Sequence, residues 1–145
     1  MIKASFDGLK QLADKLDKLT KAASDSVRPA AQAGAQVFYD QVRANAPVSK
    51  KAHKFYGTHG VYGPYQPGHL RDSIYQVYSK DNSGKDKATY HIAWNHKEAP
   101  YGFMVEFGTS NAPAHPFLRP AYAARVNDAM QATKDRMLAE VKKAL

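Results

Sequence analysis

Glu106 is the carboxylate whose position in the sequence best suits chemistry. It lies within the apolar run 101–107, and burial among apolar residues can raise the pKa of a carboxyl group towards that of a general acid or base. An acid-base hydrolase that uses Glu106 and a nearby histidine is therefore one hypothesis. More often, a carboxylate in such a place is held by an arginine or by backbone amides and has a structural role.

Other signatures of enzymes and metal sites are missing from the sequence. The six histidines are scattered and lack the His-x-x-x-His spacing that places two imidazoles on one metal ion. The nucleophile motif Gly-x-Ser-x-Gly and the glycine-rich nucleotide-binding motifs do not occur. Because the chain has no cysteine, thiol catalysis and Cys-ligated metals are excluded. We expect no enzyme activity, no metal and no cofactor.

A basic, aromatic segment covers residues 48–71, where the apolar periodicity vanishes. We predict a long loop at 48–69 that folds on binding, since loops of this length are usually functional or disordered. Cations between aromatic rings suit phosphate contact and base stacking, which favours a nucleic-acid-binding module. Tyrosines that bury against a protein partner are the other interpretation. The candidate contact residues are Lys50, Lys51, Lys54, Phe55, Tyr56, Tyr62 and Tyr65.

Size and charge narrow the class of protein. The 145 residues fit a single domain over 1–145, and the hydrophobic fraction of 43% is typical of a globular chain. The formal charge of +8 attracts nucleic acid, acidic proteins or anionic lipid about equally well. Nowhere do about 18 consecutive apolar residues occur, so a membrane-spanning or secreted protein is disfavoured. The lack of cysteine fits synthesis in a reducing cytoplasm.

Apolar spacing in the first third predicts a short edge strand and then two helices. Ile2, Ala4 and Phe6 alternate with polar residues, as in a half-buried strand. Asp7 can cap a first helix. The apolar stripe of that helix consists of Leu9, Leu12, Leu16 and Leu19.

A second helix is predicted after the cap candidates Ser24, Asp25 and Ser26, with Pro29 in its first turn. Gly34 lies inside it, where glycine costs up to about 1 kcal/mol relative to alanine. Either Gly34 is merely tolerated, or it lets another helix or subunit approach closely. The sequence leaves both explanations open.

The second half predicts a hairpin followed by two helices. Residues 74–78 and 89–94 are rich in β-branched and aromatic side chains and should pair as antiparallel strands. The run 101–107 is interpreted as a short helix that ends at Gly108. A long helix should begin near Pro116 and reach almost to the carboxyl terminus.

This element order predicts an α+β fold, in which N-terminal helices and a long C-terminal helix pack on a small antiparallel sheet.

Three stretches of the sequence together resemble one protein family. They are Gly68-His69-Leu70-Arg71-Asp72-Ser73-Ile74, Tyr101-Gly102-Phe103-Met104-Val105-Glu106-Phe107-Gly108-Thr109 and Pro113-Ala114-His115-Pro116-Phe117-Leu118-Arg119-Pro120-Ala121. They are similar to the tail-component family of lambdoid and related siphophages, which are small neck or tail-completion proteins. The residues singled out in these motifs are Gly68, Leu70, Arg71, Ser73, Ile74, Tyr101, Glu106, Phe107, Gly108, Thr109, Pro116, Phe117 and Pro120.

The resemblance implies a structural virion-assembly protein of a tailed phage or prophage. Such a protein forms a ring, a hexamer on assembly, at the head-tail junction or the tail end. The implied partners are further copies of the chain, tail-tube proteins and neck or connector proteins. Contact of the basic loop with DNA is an expectation from its cations and aromatic rings alone, and no membrane contact is expected. The resemblance places the protein in the virion tail or neck after synthesis in the host bacterial cytoplasm, and it implies neither cofactor nor catalysis.

The motif residues also allow an architectural interpretation. Gly108 can adopt a left-handed conformation that ends the short helix, and Thr109 can hydrogen-bond the following turn. We expect Glu106 to bind Arg71 or Arg119, within one subunit or across a subunit boundary.

Overall fold

The computed structural model describes residues 6–145. Its helices and antiparallel strands confirm the predicted α+β class. The elements in chain order are α1 (Phe6–Asn45), β1 (His53–Gly57), β2 (Gly60–Tyr65), α2 (His69–Asp72), β3 (Ile74–Tyr78), β4 (Tyr90–Trp94), α3 (Gly102–Phe107) and α4 (Leu118–Ala144).

The first third forms one helix of 40 residues, so the prediction of two helices is wrong. Two of the three side chains that suggested a helix start bind elsewhere: Ser26 Oγ donates to the Ala23 carbonyl at 2.7 Å, and Ser24 Oγ donates to Asp86 Oδ1 at 3.1 Å. Pro29 stays inside the helix, at a cost of about 3 kcal/mol that tertiary packing offsets. Ile2 and Ala4 of the predicted edge strand lie outside the described residues.

Helix α4 confirms the predicted final helix and runs antiparallel to α1. Asn45 Nδ2 donates to the Phe117 carbonyl, and Arg125 Nε donates to Gln41 Oε1. Farther along, Gly34 faces α4, where a Cβ atom would collide with Thr133 Oγ1 and lie 3.1 Å from the Ala129 carbonyl oxygen. Of the two explanations for Gly34, close approach of another helix is therefore the one that the structure supports.

The predicted hairpin of β3 and β4 is confirmed, with a regular register from Ile74 opposite Trp94 to Tyr78 opposite Tyr90. It packs on α1, where Gln76 Nε2 donates to Gln36 Oε1 at 2.8 Å.

The prediction of a long loop at 48–69 is wrong, because β1 and β2 form a second antiparallel hairpin within it. Gly57 pairs with Gly60, so Thr58 and His59 make the connection. A two-residue loop of this kind is typical of β-hairpins.

The core lies at the end of the molecule where α1 finishes and α4 begins. Its buried apolar residues are Val42, Ala46, Leu70, Ile74, Ala99, Tyr101, Phe117 and Ala121. In contrast, every residue from 6 to 21 of α1 is exposed. The first half of α1 therefore extends away from the core.

Candidate assembly surface

Glu106 holds the start of α4 in place. Its side chain is 2% exposed and accepts hydrogen bonds from three successive backbone N–H groups, those of Phe117 at 2.7 Å, Leu118 at 3.1 Å and Arg119 at 3.2 Å. The first N–H groups of a helix have no partner within the helix. Glu106 therefore acts as the N-terminal cap of α4, although it comes from α3.

The protonation of Glu106 follows from these contacts. Burial raises the pKa of Glu106, but the backbone N–H groups and the Arg119 guanidinium favour the ionised form and hold the pKa below its ordinary value. The net direction is opposite to the one that a general acid at neutral pH needs.

The expected ion pair of Glu106 forms with Arg119. Arg119 Nε lies 3.1 Å from Glu106 Oε1, and its Nη2 donates to the Glu106 carbonyl at 2.9 Å. Arg71 instead contacts Asp72, which also binds Arg43 of α1 at 3.2 Å. The two arginines therefore bind different carboxylates.

The first motif forms the turn that leads into β3. Gly68 has a left-handed φ of 85°, which glycine adopts without the steric cost of a side chain. Ser73 Oγ donates to the Leu70 carbonyl at 2.7 Å. Leu70 and Ile74 are both buried in the core. This motif thus has an architectural place in the fold.

A tight turn follows α3, as the second motif predicts. Gly108 has a φ of 74°, and its N–H donates to the Met104 carbonyl at 2.7 Å. Thr109 Oγ1 accepts hydrogen bonds from the N–H groups of Asn111 and Ala112.

The third motif leads into α4. Phe117 is fully buried and Pro120 lies in the first turn of α4. Pro116 lies just before that helix.

Tyr101 joins the first hairpin to the core. Its hydroxyl group lies 3.0 Å from His69 Nδ1, and burial, with the nearby Tyr65, raises the pKa of Tyr101 to about 12. The rings of Phe55 and Tyr65 contact it with centroid distances of 6.4 and 5.0 Å. These two residues of the predicted contact loop therefore pack inward.

The remaining residues of that predicted contact set face solvent. Tyr56 is 74% exposed and Tyr62 is 41% exposed. The cations Lys50, Lys51 and Lys54 are exposed as well. A pocket of about 470 Å³ opens beside them, between β1, α2 and the turn after α3.

A row of apolar side chains is exposed on the first half of α1. We call this row the leucine stripe; Leu9 is 64%, Leu12 54%, Leu16 53% and Leu19 40% exposed. Soluble chains rarely leave contiguous apolar surface uncovered unless it is a contact site.

A second apolar surface, the α1–α4 groove, has a volume of about 730 Å³. Its floor is α1, β4 forms one wall and α4 forms the other. Exposed Tyr122 stacks on Phe38 at 5.5 Å, and Met130 is 66% exposed. The groove is lined by Ala31, Gly34, Ala35, Phe38, Ala88, Tyr90, Ile92, Tyr122, Val126, Ala129, Met130, Thr133, Lys134, Met137 and Leu138.

Sequence reasoning missed three features of these surfaces. It anticipated that backbone amides or an arginine would hold Glu106, but not that these amides belong to the start of α4, because a cap from a distant element leaves no local pattern. It did not foresee the first hairpin, although the glycines around Thr58 and His59 between aromatic residues were a usable signal. It also identified the leucine stripe as apolar without predicting that the stripe is exposed.

Among residues 6–145, no group of three or more His, Asp or Glu side chains is arranged to hold a metal ion. No helix in this range is long and apolar enough to cross a membrane.

Comparison with protein-family profiles gives a significant match. No curated protein and no solved structure is significantly similar to the chain. Residues 10–108 match the profile of the family described as "Bacteriophage HK97-gp10, putative tail-component". This range includes the first motif, the second motif as far as Gly108 and most of the fold, and it covers more than half of the chain. The protein therefore belongs to the HK97-gp10-like family of phage tail components.

Proposed function

We propose that the protein is a ring-forming subunit at the head-tail junction or the tail end of a phage virion, where it completes or terminates the tail. Its partners in this role are further copies of itself, in a ring of six subunits, together with tail-tube proteins and neck or connector proteins. The residues that we assign to the subunit architecture are those of the three motifs, within one domain.

The observation that carries this proposal is the amount of exposed surface. The chain of 16.0 kDa exposes 10402 Å², whereas a compact monomer of this mass exposes about 7,400 Å². The excess is roughly 3,000 Å², and each partner contributes about 800 Å² to a standard interface. The excess therefore supplies enough surface for a neighbour on each side and for further contacts.

Exposed aromatic residues on α3 add a further contact surface. The rings of Phe103 and Phe107 have centroids 4.7 Å apart and are tilted by 40° to each other, and the residues are 60% and 50% exposed. Arg119 lies over the Phe107 ring at 4.6 Å. Aromatic residues and arginine are enriched at protein interfaces, so this patch suits a tail or neck protein.

Electron microscopy tests the ring directly. Negative-stain images and mass determination are made on the purified protein, alone and mixed with tail tubes from a phage that lacks it. We expect rings, or tubes capped by rings, with a defined subunit count. Many subunits assemble only on a preformed partner. The result that would contradict the ring proposal is therefore a protein that stays monomeric and leaves the tubes uncapped.

A nucleic-acid-binding role is a second candidate, favoured by the exposed Lys50, Lys51 and Lys54 beside exposed Tyr56. It predicts that labelled single-stranded DNA binds with a steep salt dependence. Replacement of Lys51 and Lys54 by Ser should then weaken binding and reduce the salt slope, whereas the same change at Lys142 and Lys143 should not. Absence of binding at low salt would eliminate this role.

A further inference from the structure

Helix α1 is longer than the helix that packs on it. Two contacts show which residues of α1 and α4 lie side by side along the helix axes. Asn45 contacts Phe117, and Gly34 lies against Ala129 and Thr133. Both helices rise about 1.5 Å per residue, so α4, which ends at Ala144, reaches about as far as residue 20 of α1. About 14 residues of α1, or roughly 20 Å, therefore continue beyond the end of α4.

The leucine stripe lies on the face of α1 that α4 covers farther along. Leu16 precedes Gly34 by 18 residues, which is about five turns, so the two residues point to the same side. Leu9, Leu12 and Leu19 deviate from this direction by about 60° or less. The stripe is thus the continuation of a helix-packing face whose partner helix has ended.

The α1–α4 groove has the size and character to receive such a face. From Tyr122 to Leu138 its α4 wall extends over about 24 Å, close to the length of the overhang. The side chains on its walls are mostly apolar or aromatic, and the polar residues among those that line it are Thr133 and the charged Lys134. An amphipathic helix in an apolar groove is a recurrent mode of recognition.

The stripe and the groove of one chain cannot meet. Both belong to α1, which is a single helix from Phe6 to Asn45, and the groove floor lies at residues 31–38 of that helix. The occupant of the groove must come from another chain. A second copy fits, because it carries a stripe of matching length and because each chain has roughly 3,000 Å² of surface beyond that of a compact monomer.

We propose that the leucine stripe of one subunit docks into the α1–α4 groove of the next subunit. The charged residues on the opposite side of the overhang, among them Lys10, Asp14 and Lys18, then stay in water. Contact between two different surfaces is heterologous, and such contacts close into rings when the rotation allows it. This inference rests on the proposed function, for which it names the subunit interface.

Cysteine cross-linking tests the docking against a native background without cysteine. The full-length variant Leu12→Cys/Met130→Cys is treated with a short bismaleimide, alone and with tail tubes. We expect ladders of cross-linked chains. The variant Lys21→Cys/Met130→Cys, with one cysteine on the opposite side of α1, should form at least tenfold less product. Dimers from Leu12→Cys alone would show that stripes pair with each other and would overturn the inference.

Mixing of variants provides the second test. Leu12→Asp/Leu16→Asp disables the stripe, and Tyr122→Asp/Met130→Asp disables the groove. Each variant alone should form at least tenfold fewer assemblies, while a mixture should yield one-to-one dimers, because one intact stripe and one intact groove remain. The control Gln11→Asp/Lys21→Ser has the same charge change as the stripe variant and should assemble normally. Circular dichroism checks that every variant is folded.

The outcomes separate this inference from the proposed function. Rings without the cross-link between positions 12 and 130 overturn the docking and leave the ring proposal standing. Ladders without rings support the docking and count against a closed ring. If neither rings nor cross-links form, with or without tubes, both the docking and the ring proposal are overturned.

Discussion

At the scale of single residues, Glu106 connects two helices that are separated by a turn. Its carboxylate accepts the first N–H groups of α4, and its own carbonyl accepts a hydrogen bond from Arg119. A buried carboxylate with this number of donors is stabilised in its charged form. Glu106, which the sequence made the best candidate for catalysis, therefore has a structural role.

Replacement of Glu106 by Gln should lower the free energy of unfolding by about 2 kcal/mol, because hydrogen bonds to a charged group are lost and the new amide points donors at donors. Chemical denaturation monitored by circular dichroism measures the change. The matched control is Glu98→Gln at an exposed carboxylate, for which we expect little effect. Equal stability of the two variants would contradict the capping role.

The stability difference between the wild type and Glu106→Gln should also depend on pH. Because the pKa of Glu106 is lowered in the folded protein, its stabilising contribution is present above the unfolded-state pKa of about 4.3. It is lost as the pH falls through the lower folded-state value. The stability difference between the wild type and Glu106→Gln should therefore shrink as the pH falls from 7 to 3. A difference that stays constant over this range would argue against an ionised cap.

At the scale of elements, the close contact of α1 with α4 depends on Gly34. Alanine there should destabilise the protein by about 1–3 kcal/mol, since the added methyl group overpacks the contact and outweighs the gain in helix propensity. Gly8 has open space around its Cα atom, so Gly8→Ala should be neutral or slightly stabilising.

Thermal unfolding of both glycine variants measures the contrast. Thr133→Ala in the Gly34→Ala background should restore part of the loss, because Thr133 Oγ1 is the atom that the new methyl group would meet. An increase in stability for Gly34→Ala alone would show that the helices can separate without cost.

The first hairpin should be ordered in the free subunit, contrary to the expectation of a loop that folds on binding. Its side chains His53, Phe55 and Tyr65 pack against Tyr101. Limited trypsin digestion should therefore cleave after Lys54 slowly in the wild type and much faster in Tyr65→Ala. Tyr56→Ala, on the exposed face, is the control and should be cleaved like the wild type. Rapid cleavage of the wild type would restore the idea of a disordered loop.

At the scale of the whole molecule, the hydrophobic core is small, and much of the chain is not buried by other parts of the same chain. The buried cluster lies at one end of the α1–α4 pair, and the apolar stripe lies on the far end of α1. As a phage tail component, the protein is a structural protein of the virion and works in contact with other phage structural proteins. An extended subunit with uncovered apolar faces suits that task, because partners complete its packing.

Small-angle X-ray scattering should reveal this elongation. Helix α1 alone spans about 60 Å, whereas a compact chain of this length has a radius of gyration of about 15 Å. We expect a maximum dimension of at least 60 Å for the monomer and a radius of gyration clearly above the compact value. A radius near 15 Å would mean that the overhang is not extended in solution.

The sequence alone determined the elements that have a local periodic pattern. The second hairpin, the short helix before Gly108, the final helix and the α+β class could be predicted, since alternation and helical spacing are local properties. The three motifs also led to the correct family. These features depend on side chains a few positions apart.

Only the tertiary structure decided which surfaces are covered. It made α1 continuous through Pro29, because α4 packs along both sides of the expected break, and it ordered 53–65 through Tyr101. It also left the leucine stripe exposed, since α4 ends before it reaches those residues. A periodic pattern shows which face of a helix is apolar, but the lengths and positions of distant elements determine whether the same chain or a partner covers it.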